Sequence, residues 1–376
     1  MRKIQMVDLA SQYQKIKKEI DEAVLNVVAS TAYINGPEVQ AFAKELQDYL
    51  NVKHVIPCAN GTDALQVIMM ALGLKPGDEV ITTTFTFIAT AEVIALLGFT
   101  PVLVDVLPDT MNIDPAKLRA AITPKTKAIV PVHLFGQCAD MEEILKIAEE
   151  HNLYVIEDTC QAIGAEYKFS DGTIRKAGTM GKAGAVSFFP SKNLGCYGDG
   201  GAIFTNDDKL AEQLKIVVNH GMTIRYIHDY VGVNSRLDSI QAAILRIKLR
   251  RLDEYNESRK TAAEKYNKAF KKSDKLVVPY ISNNSTHIFH QYTLITKDID
   301  RDGLLKYIND KGIPAAIYYP IPLHHQKAYL DERYKTGMFP VSEMLCKSVI
   351  SLPMHTELDD EQIEFITNTI LEFIEK

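Results

Sequence analysis

The sequence predicts a mainly parallel α/β sheet with helices on both faces, followed by a smaller carboxyl-terminal α+β domain. Two observations carry this. Short apolar runs alternate with helical patterns through the first half of the chain, as successive βαβ units require. Near Ala183 the alternation gives way to two strand-like runs around a Gly-rich loop, and a long helical pattern then leads away. The chain has 376 residues, and length alone suggests roughly two to three domains. The change in the strand and helix pattern divides it into a large domain over 1–255 and a small one over 256–376.

Element by element, Ala10 to Ser30 reads as an amphipathic helix. Asn35-Gly36-Pro37 makes a turn, and Pro37 suits the first position of a second helix ending near Leu50. Strands are expected at Val55-Ile56, Glu79 to Thr83, Pro101 to Val106, Ala128 to Leu134 and Leu153 to Glu157. Helices are expected between them, over Asp63 to Leu72, Thr90 to Leu97, Pro115 to Ala121 and Met141 to His151. Ala185 to Phe189 and Gly201 to Thr205 follow as strands. Leu237, Ile240, Ala243, Ile244, Ile247 and Leu252 give helical spacing to one long helix reaching about Tyr255. The small domain is read as a strand over His287 to Thr296, a helix over Asp302 to Lys311, a strand over Ala315 to Tyr318 and a last helix over Asp359 to Ile374.

Composition removes several function classes. Hydrophobic residues make up 46% and charged residues 24%, enough apolar material for a sizeable core. Lys+Arg 42 against Asp+Glu 48 leaves a net charge of −6 with no basic stripe, so no nucleic-acid partner is expected. Cys58, Cys138, Cys160, Cys196 and Cys346 are scattered without CxxC spacing, which fits reduced thiols and no structural zinc. The amino terminus lacks the apolar stretch of a signal peptide, and no run is long enough to span a membrane. A cytoplasmic location is the expectation. His324 and His325 are adjacent and cannot share a helical face, so no metal site is expected there. His133, at the end of a predicted strand, reads as a satisfied buried histidine rather than a pocket residue, and His220 stays undecided.

Three segments carry chemistry. Leu153 to Asp158 is an apolar strand ending in an acid, which sets Asp158 at a strand's carboxyl end, where open α/β sheets bind ligands. Alone, such an acid is an ordinary strand-end turn. Lys192 follows the apolar run Ser187-Phe188-Phe189-Pro190-Ser191 and precedes Gly195, Gly198, Gly200 and Gly201, which permit close approach of backbone to a ligand. A lysine used in Schiff-base chemistry needs this kind of setting, because partial desolvation makes its neutral amine accessible near pH 7. Asn60-Gly61-Thr62-Asp63 runs from a strand into a helix start, where free N–H groups and the helix dipole suit a phosphate. By itself this last segment is also an ordinary helix start.

Taken together and in order, Ala59-Asn60-Gly61-Thr62-Asp63-Ala64-Leu65, Glu157-Asp158-Thr159-Cys160-Gln161-Ala162, Ser187-Phe188-Phe189-Pro190-Ser191-Lys192 and Asn234-Ser235-Arg236-Leu237-Asp238 resemble the DegT-type sugar-nucleotide aminotransferases. The likeness spans the chain, from Tyr33-Ile34-Asn35-Gly36-Pro37-Glu38-Val39 to Tyr319-Pro320-Ile321-Pro322-Leu323. It implies the pyridoxal-phosphate (PLP) transferase fold of type I, the fold of aspartate aminotransferase. It implies that Lys192 links PLP as a Schiff base, that Asp158 keeps the pyridine nitrogen protonated, and that Gln161 bonds on the phenolic oxygen side. Gly61, Thr62 and Ser187 would hold the phosphate, with Asn234 reaching it from a second subunit of a homodimer. Phe87 would lie against the cofactor ring; its plainer reading is helix-core packing. L-glutamate is the implied amino donor, and Lys192 rather than His argues for amino transfer over dehydration.

For the acceptor, the resemblance implies a nucleotide-linked keto sugar. Arg225 and Arg236 are candidate cations for its diphosphate, Arg225 with the plainer reading of a solvated surface residue. The Asn234-Ser235-Arg236 version of the motif, with Gly195-Cys196-Tyr197-Gly198-Asp199-Gly200-Gly201, resembles the 3-keto branch that aminates UDP-2-acetamido-2-deoxy-3-oxo-glucuronate for bacterial O-antigen and lipopolysaccharide. Relatives of that type carry His-Tyr where this chain has Tyr318-Tyr319. A tyrosine donates a hydrogen bond but cannot carry the positive charge that favours a carboxylate. A dTDP-linked keto-6-deoxyhexose therefore stands as an alternative, and a non-catalytic sensor of PLP or nucleotide sugar as one of another class.

Overall fold

The structure is a computed structural model and describes residues 2–375. Two amphipathic helices open the chain, α1 (Leu9–Ser30) and α2 (Pro37–Leu50). Asp8 caps α1 by accepting from the Ser11 N–H, and Pro37 takes the first turn of α2. Strand–helix units follow: β1 (His54–Cys58), α3 (Gly61–Ala71), β2 (Glu79–Thr83), α4 (Ala89–Leu96), β3 (Thr100–Val104), α5 (Pro115–Ala120), β4 (Thr126–Val130), α6 (Met141–His151) and β5 (Tyr154–Asp158). A short hairpin, β6 (Glu166–Lys168) and β7 (Ile174–Lys176), precedes β8 (Ala183–Ser187), β9 (Gly201–Thr205) and α7 (Asp208–Val217). A second hairpin, β10 (Met222–Ile224) and β11 (Ile227–His228), leads into α8 (Ser239–Leu249) and α9 (Leu252–Phe270). The remainder is β12 (Leu276–Val277), β13 (Tyr292–Thr296), α10 (Arg301–Asp310), α11 (Pro340–Ser348), β14 (Val349–Leu352) and α12 (Asp360–Glu375).

The main sheet has seven strands in the order β1-β9-β8-β5-β4-β2-β3. Pairing is parallel from β8 through β5, β4 and β2 to β3, while β9 runs opposite to both its neighbours. Helices cover both faces, with separate apolar clusters built on α3 and α7, on α2 and α8, and on α6. Phe42 of α2 meets Phe188 edge-on at 5.4 Å between ring centroids, both fully buried. Truncating such a ring costs about 3–5 kcal/mol, so α2 anchors the strand that leads to Lys192. A second core joins α9, α10 and α12 to the antiparallel sheet β12-β13-β14 and also takes in Ile4.

The expected elements of the first 205 residues are present, several shortened by one to four residues at their ends. Three expectations need correction further on. The single helix from Leu237 to Tyr255 is two helices, broken at Arg250 and Arg251. The chain turns there because α8 packs on α1 and α2, whereas α9 runs on to Phe270 and into the second core. Residues 315–318 form only one bridge, Ala316 to Ser351, and residues 287–291 are not part of β13. None of the helices among the described residues is long and apolar enough to cross a membrane.

Candidate active site at the carboxyl ends of β5 and β8

Adjacent parallel strands β5 and β8 deliver the two central residues. Asp158 ends β5, paired with Ala185 of β8. Lys192 lies in the loop five residues beyond Ser187, the last residue of β8. Asp158 is buried, and its carboxylate is fixed from two sides: Oδ2 accepts from Thr90 Oγ1 at 2.8 Å and Oδ1 from the Cys160 N–H at 3.2 Å. Lys192 is half-buried, and loss of solvent pushes its ammonium pKa down, partly offset by Cys160 and Asp158. Lys192 therefore keeps a neutral amine at lower pH than a surface lysine does. Burial, reinforced by Asp158, holds the Cys160 thiol protonated.

The helix start at Asn60 closes the third side. Asn60 caps α3 by accepting from the Asp63 N–H at 2.8 Å, which leaves the N–H groups of Gly61 and Thr62 for an outside acceptor. Gly61 is packed so closely that a Cβ there would lie 2.7 Å from Cys160 Sγ and 2.8 Å from Ser187 Cβ. One glycine thus touches both the Asp158 segment and the end of the strand that precedes Lys192. Gly201 answers the same crowding from β9, where a Cβ would meet the Asn60 carbonyl carbon at 2.4 Å.

Gln161 and the aromatic residues form the opposite wall. Gln161 Oε1 accepts from the Phe135 N–H at 2.8 Å, and its Nε2 donates to the Tyr319 hydroxyl at 3.0 Å. Burial pushes the Tyr319 phenol pKa up, so it remains protonated. Phe87 is 54% exposed, stands before α4 rather than inside it, and its ring lies 6.4 Å from that of Tyr319. Helix-core packing is therefore not its role. Tyr318 is half-buried, 6.0 Å ring to ring from Tyr319.

The remaining expected residues lie elsewhere on the chain. Arg225 is exposed at the tip of the β10–β11 hairpin and stacks on its neighbour Tyr226 at 5.1 Å. Asn234 is exposed, bridged to Asn219, and Arg236 donates to Asn219 Oδ1 at 3.3 Å. His133 is a satisfied buried histidine: Nδ1 accepts from the Ala139 N–H at 3.1 Å and Nε2 faces Glu157 Oε2 at 2.9 Å. The His324 and His325 rings lie 4.0 Å apart, tilted by 49°, and with Glu343 they bring three potential ligand atoms within 4.8 Å, which sequence adjacency did not suggest. A 3₁₀ turn rather than an α-helix makes this possible. Both nitrogens of His324 already have partners, Thr84 Oγ1 at 2.8 Å and Glu343 Oε1 at 3.2 Å. Sequence reasoning missed Thr90, since a contact across 68 positions leaves no spacing signal.

These residues fit pyridoxal phosphate. A half-buried amine with lowered pKa, a buried carboxylate oriented by two donors, and a helix start with free N–H groups match its aldehyde, ring nitrogen and phosphate. Gly61→Ala tests the fit: the added methyl overpacks Cys160 and Ser187, costing about 1–3 kcal/mol. PLP affinity measured by absorbance titration of the apoenzyme is expected to fall, and unchanged affinity would place the phosphate elsewhere.

Fold and site define a PLP-dependent transferase of fold type I. The sequence profile of the DegT/DnrJ/EryC1/StrS aminotransferase family matches residues 14–371, and the chain belongs to that family. It is 46% identical to the UDP-2-acetamido-2-deoxy-3-oxo-D-glucuronate aminotransferase of Pseudomonas aeruginosa, over 96% of this chain and 98% of that protein. It is 45% identical to a protein of Geobacillus stearothermophilus named "Pleiotropic regulatory protein", over 98% of both chains. Among solved structures, a DegT DnrJ EryC1 StrS aminotransferase from Brucella abortus superposes with a TM-score of 0.93 at 44% identity, covering 99% of this chain and 100% of that one. The protein is accordingly a PLP-dependent aminotransferase.

Proposed function

We propose that the enzyme transfers an amino group from L-glutamate to a nucleotide-linked 3-keto sugar, with UDP-2-acetamido-2-deoxy-3-oxo-glucuronate as the leading acceptor. The observation that carries the chemistry is the convergence of Gly61, Cys160 and Ser187, which sets Lys192 and Asp158 around one small space. PLP bound there would supply an electron sink for the reacting carbon. Asp158, kept in register by Thr90 and the Cys160 N–H, would hold a proton on the ring nitrogen. Lys192 Nζ takes the proton from the donor's α-carbon and later returns one on the acceptor side. Tyr319, steered by Gln161, donates to a substrate oxygen, and Tyr318 lines the acceptor side. Arg225 and Arg236 are the cations proposed for the diphosphate.

The acceptor rests on the likeness to the P. aeruginosa enzyme and on the Asn234-Ser235-Arg236 motif. Relatives are named for UDP-linked and for dTDP-linked sugars, and the uncharged Tyr318 favours a dTDP-linked keto-6-deoxyhexose as the second reading. A role in surface-polysaccharide synthesis such as O-antigen follows from the first acceptor and not from the second. The regulatory name of one relative raises a sensor reading, which the amino-transfer set around Lys192 does not require.

In this reading the enzyme works in the cytoplasm as a homodimer with shared sites, and residues 1–255 and 256–376 act as its large and small domains. The exposed Asn234 and the bare apolar residues of the neighbouring segment support a second copy there, Tyr226 being 78% and Val231 86% exposed. The test is a two-stage reaction. Enzyme converted with L-glutamate to the amino form is mixed with UDP- and dTDP-linked 3-keto and 4-keto sugars. Return of the original absorbance is expected with the UDP-3-keto uronate; return only with dTDP sugars selects the second reading, and no conversion by glutamate removes both.

A further inference from the structure

Asn193, next to the reactive lysine, is buried, and each polar atom of its amide is used. Nδ2 donates to Asn256 Oδ1 at 2.8 Å and to the Ile288 carbonyl at 3.1 Å. With both amide hydrogens committed, Oδ1 is an acceptor, so the contact with His290 Nδ1 at 3.3 Å requires the hydrogen on the imidazole. Asn256, on α9, also donates to the Ile163 carbonyl at 3.4 Å, two residues beyond Gln161. Arg259, one turn further along α9, donates to the carbonyls of Phe289, His290 and Met354 at 3.2, 3.3 and 2.9 Å. The far end of the lysine loop is held by Lys248, whose Nζ donates to the Gly195 carbonyl at 2.5 Å.

We infer that Asn193 and His290 are positioning residues for Lys192, fixing the loop that carries its amine against α9 and the segment before β13. The inference rests on the reading that Lys192 bears the cofactor. The Asn193 hydrogen bonds run to α9 and to the segment over residues 288–290. The loop that follows β8 is therefore aimed by α9 and the segment before β13, and the same helix steadies the Gln161 loop. Burial, together with Lys192 and Arg259, holds His290 neutral. A neutral imidazole steadies Asn193 without adding a positive charge beside an amine that must lose its own proton.

The test compares apoenzyme of wild type, Lys192→Ala, Asn193→Ala, His290→Ala and His290→Asn. Stopped-flow absorbance follows capture of added PLP by the lysine and then loss of that band with L-glutamate. Because misplacing a reacting group by about 1 Å costs on the order of 100-fold, Asn193→Ala and His290→Ala are expected to slow both steps about 10- to 100-fold. Apparent glutamate affinity stays within about twofold, since no donor contact is removed. His290→Asn, whose amide replaces the imidazole N–H, recovers most of the rate. Wild-type rates in Asn193→Ala, or a His290→Asn no faster than His290→Ala, overturn the inference. If the alanine variants fail to fold, His290→Asn and His290→Gln decide: the Gln amide cannot serve Asn193 from the same place, and equal rates overturn it. A band that survives in Lys192→Ala removes the underlying reading instead, and the inference with it.

Discussion

Lys192→Ala loses amino transfer by about 10⁴-fold or more, because both the covalent anchor and the proton carrier disappear. The loss is chemical. Burial disfavours the charged form of Lys192, and removing a desolvated amine leaves the apoprotein at least as stable in thermal melts. Lys192→Arg is equally inactive, since a guanidinium keeps the charge but is no nucleophile near neutral pH. A small primary amine added in solution restores part of the rate in Lys192→Ala and none in Lys192→Arg, whose side chain still fills the space. Half-reaction kinetics with L-glutamate measure all of this. Activity of Lys192→Ala within tenfold of wild type would assign the amine elsewhere.

Asp158→Asn separates holding the cofactor from using it. The amide has the size of the carboxylate, and its oxygen still accepts from Thr90 or the Cys160 N–H. PLP is therefore still captured by Lys192. The charge is gone, and an opposite charge at close range shifts a pKa by about 1–3 units, so the ring nitrogen loses much of its proton near pH 7. Glutamate turnover is expected to fall about 10- to 10³-fold, in keeping with tenfold per unit. The deficit shrinks as pH is lowered, because the ring nitrogen then reprotonates without help. A variant with the wild-type rate would mean that Asp158 does not face the ring.

Much of this was legible in the sequence, for reasons that differ by element. The strand Glu79–Thr83 and the helix Met141–His151 are found with the expected bounds, since each is a self-contained pattern with clear flanks. Pro37 marked the start of α2 for the same local reason. The motifs around Gly61, Asp158 and Lys192 carried the resemblance, and the parallel pairing of β5 with β8 is what brings two of them side by side.

What could not be read depends on distant partners. Strand β14 exists because Val349 to Leu352 pairs with β13 across the second core, and the two-residue β12 has no pattern of its own. The break between α8 and α9 follows from packing on different cores, although both stretches are good helix formers. Thr90 on Asp158, Tyr319 on Gln161 and His290 on Asn193 are each joined across 68 residues or more, where spacing says nothing.

The central claim is that one amine, at Lys192, holds the cofactor. Reduction of the PLP-loaded enzyme with borohydride, followed by proteolysis and mass spectrometry of the peptides, tests it directly. A single phosphopyridoxyl adduct on Lys192 is the predicted result. An adduct on Lys248, whose pKa burial also lowers, to about 8, or on a surface lysine with Lys192 unmodified, would contradict it.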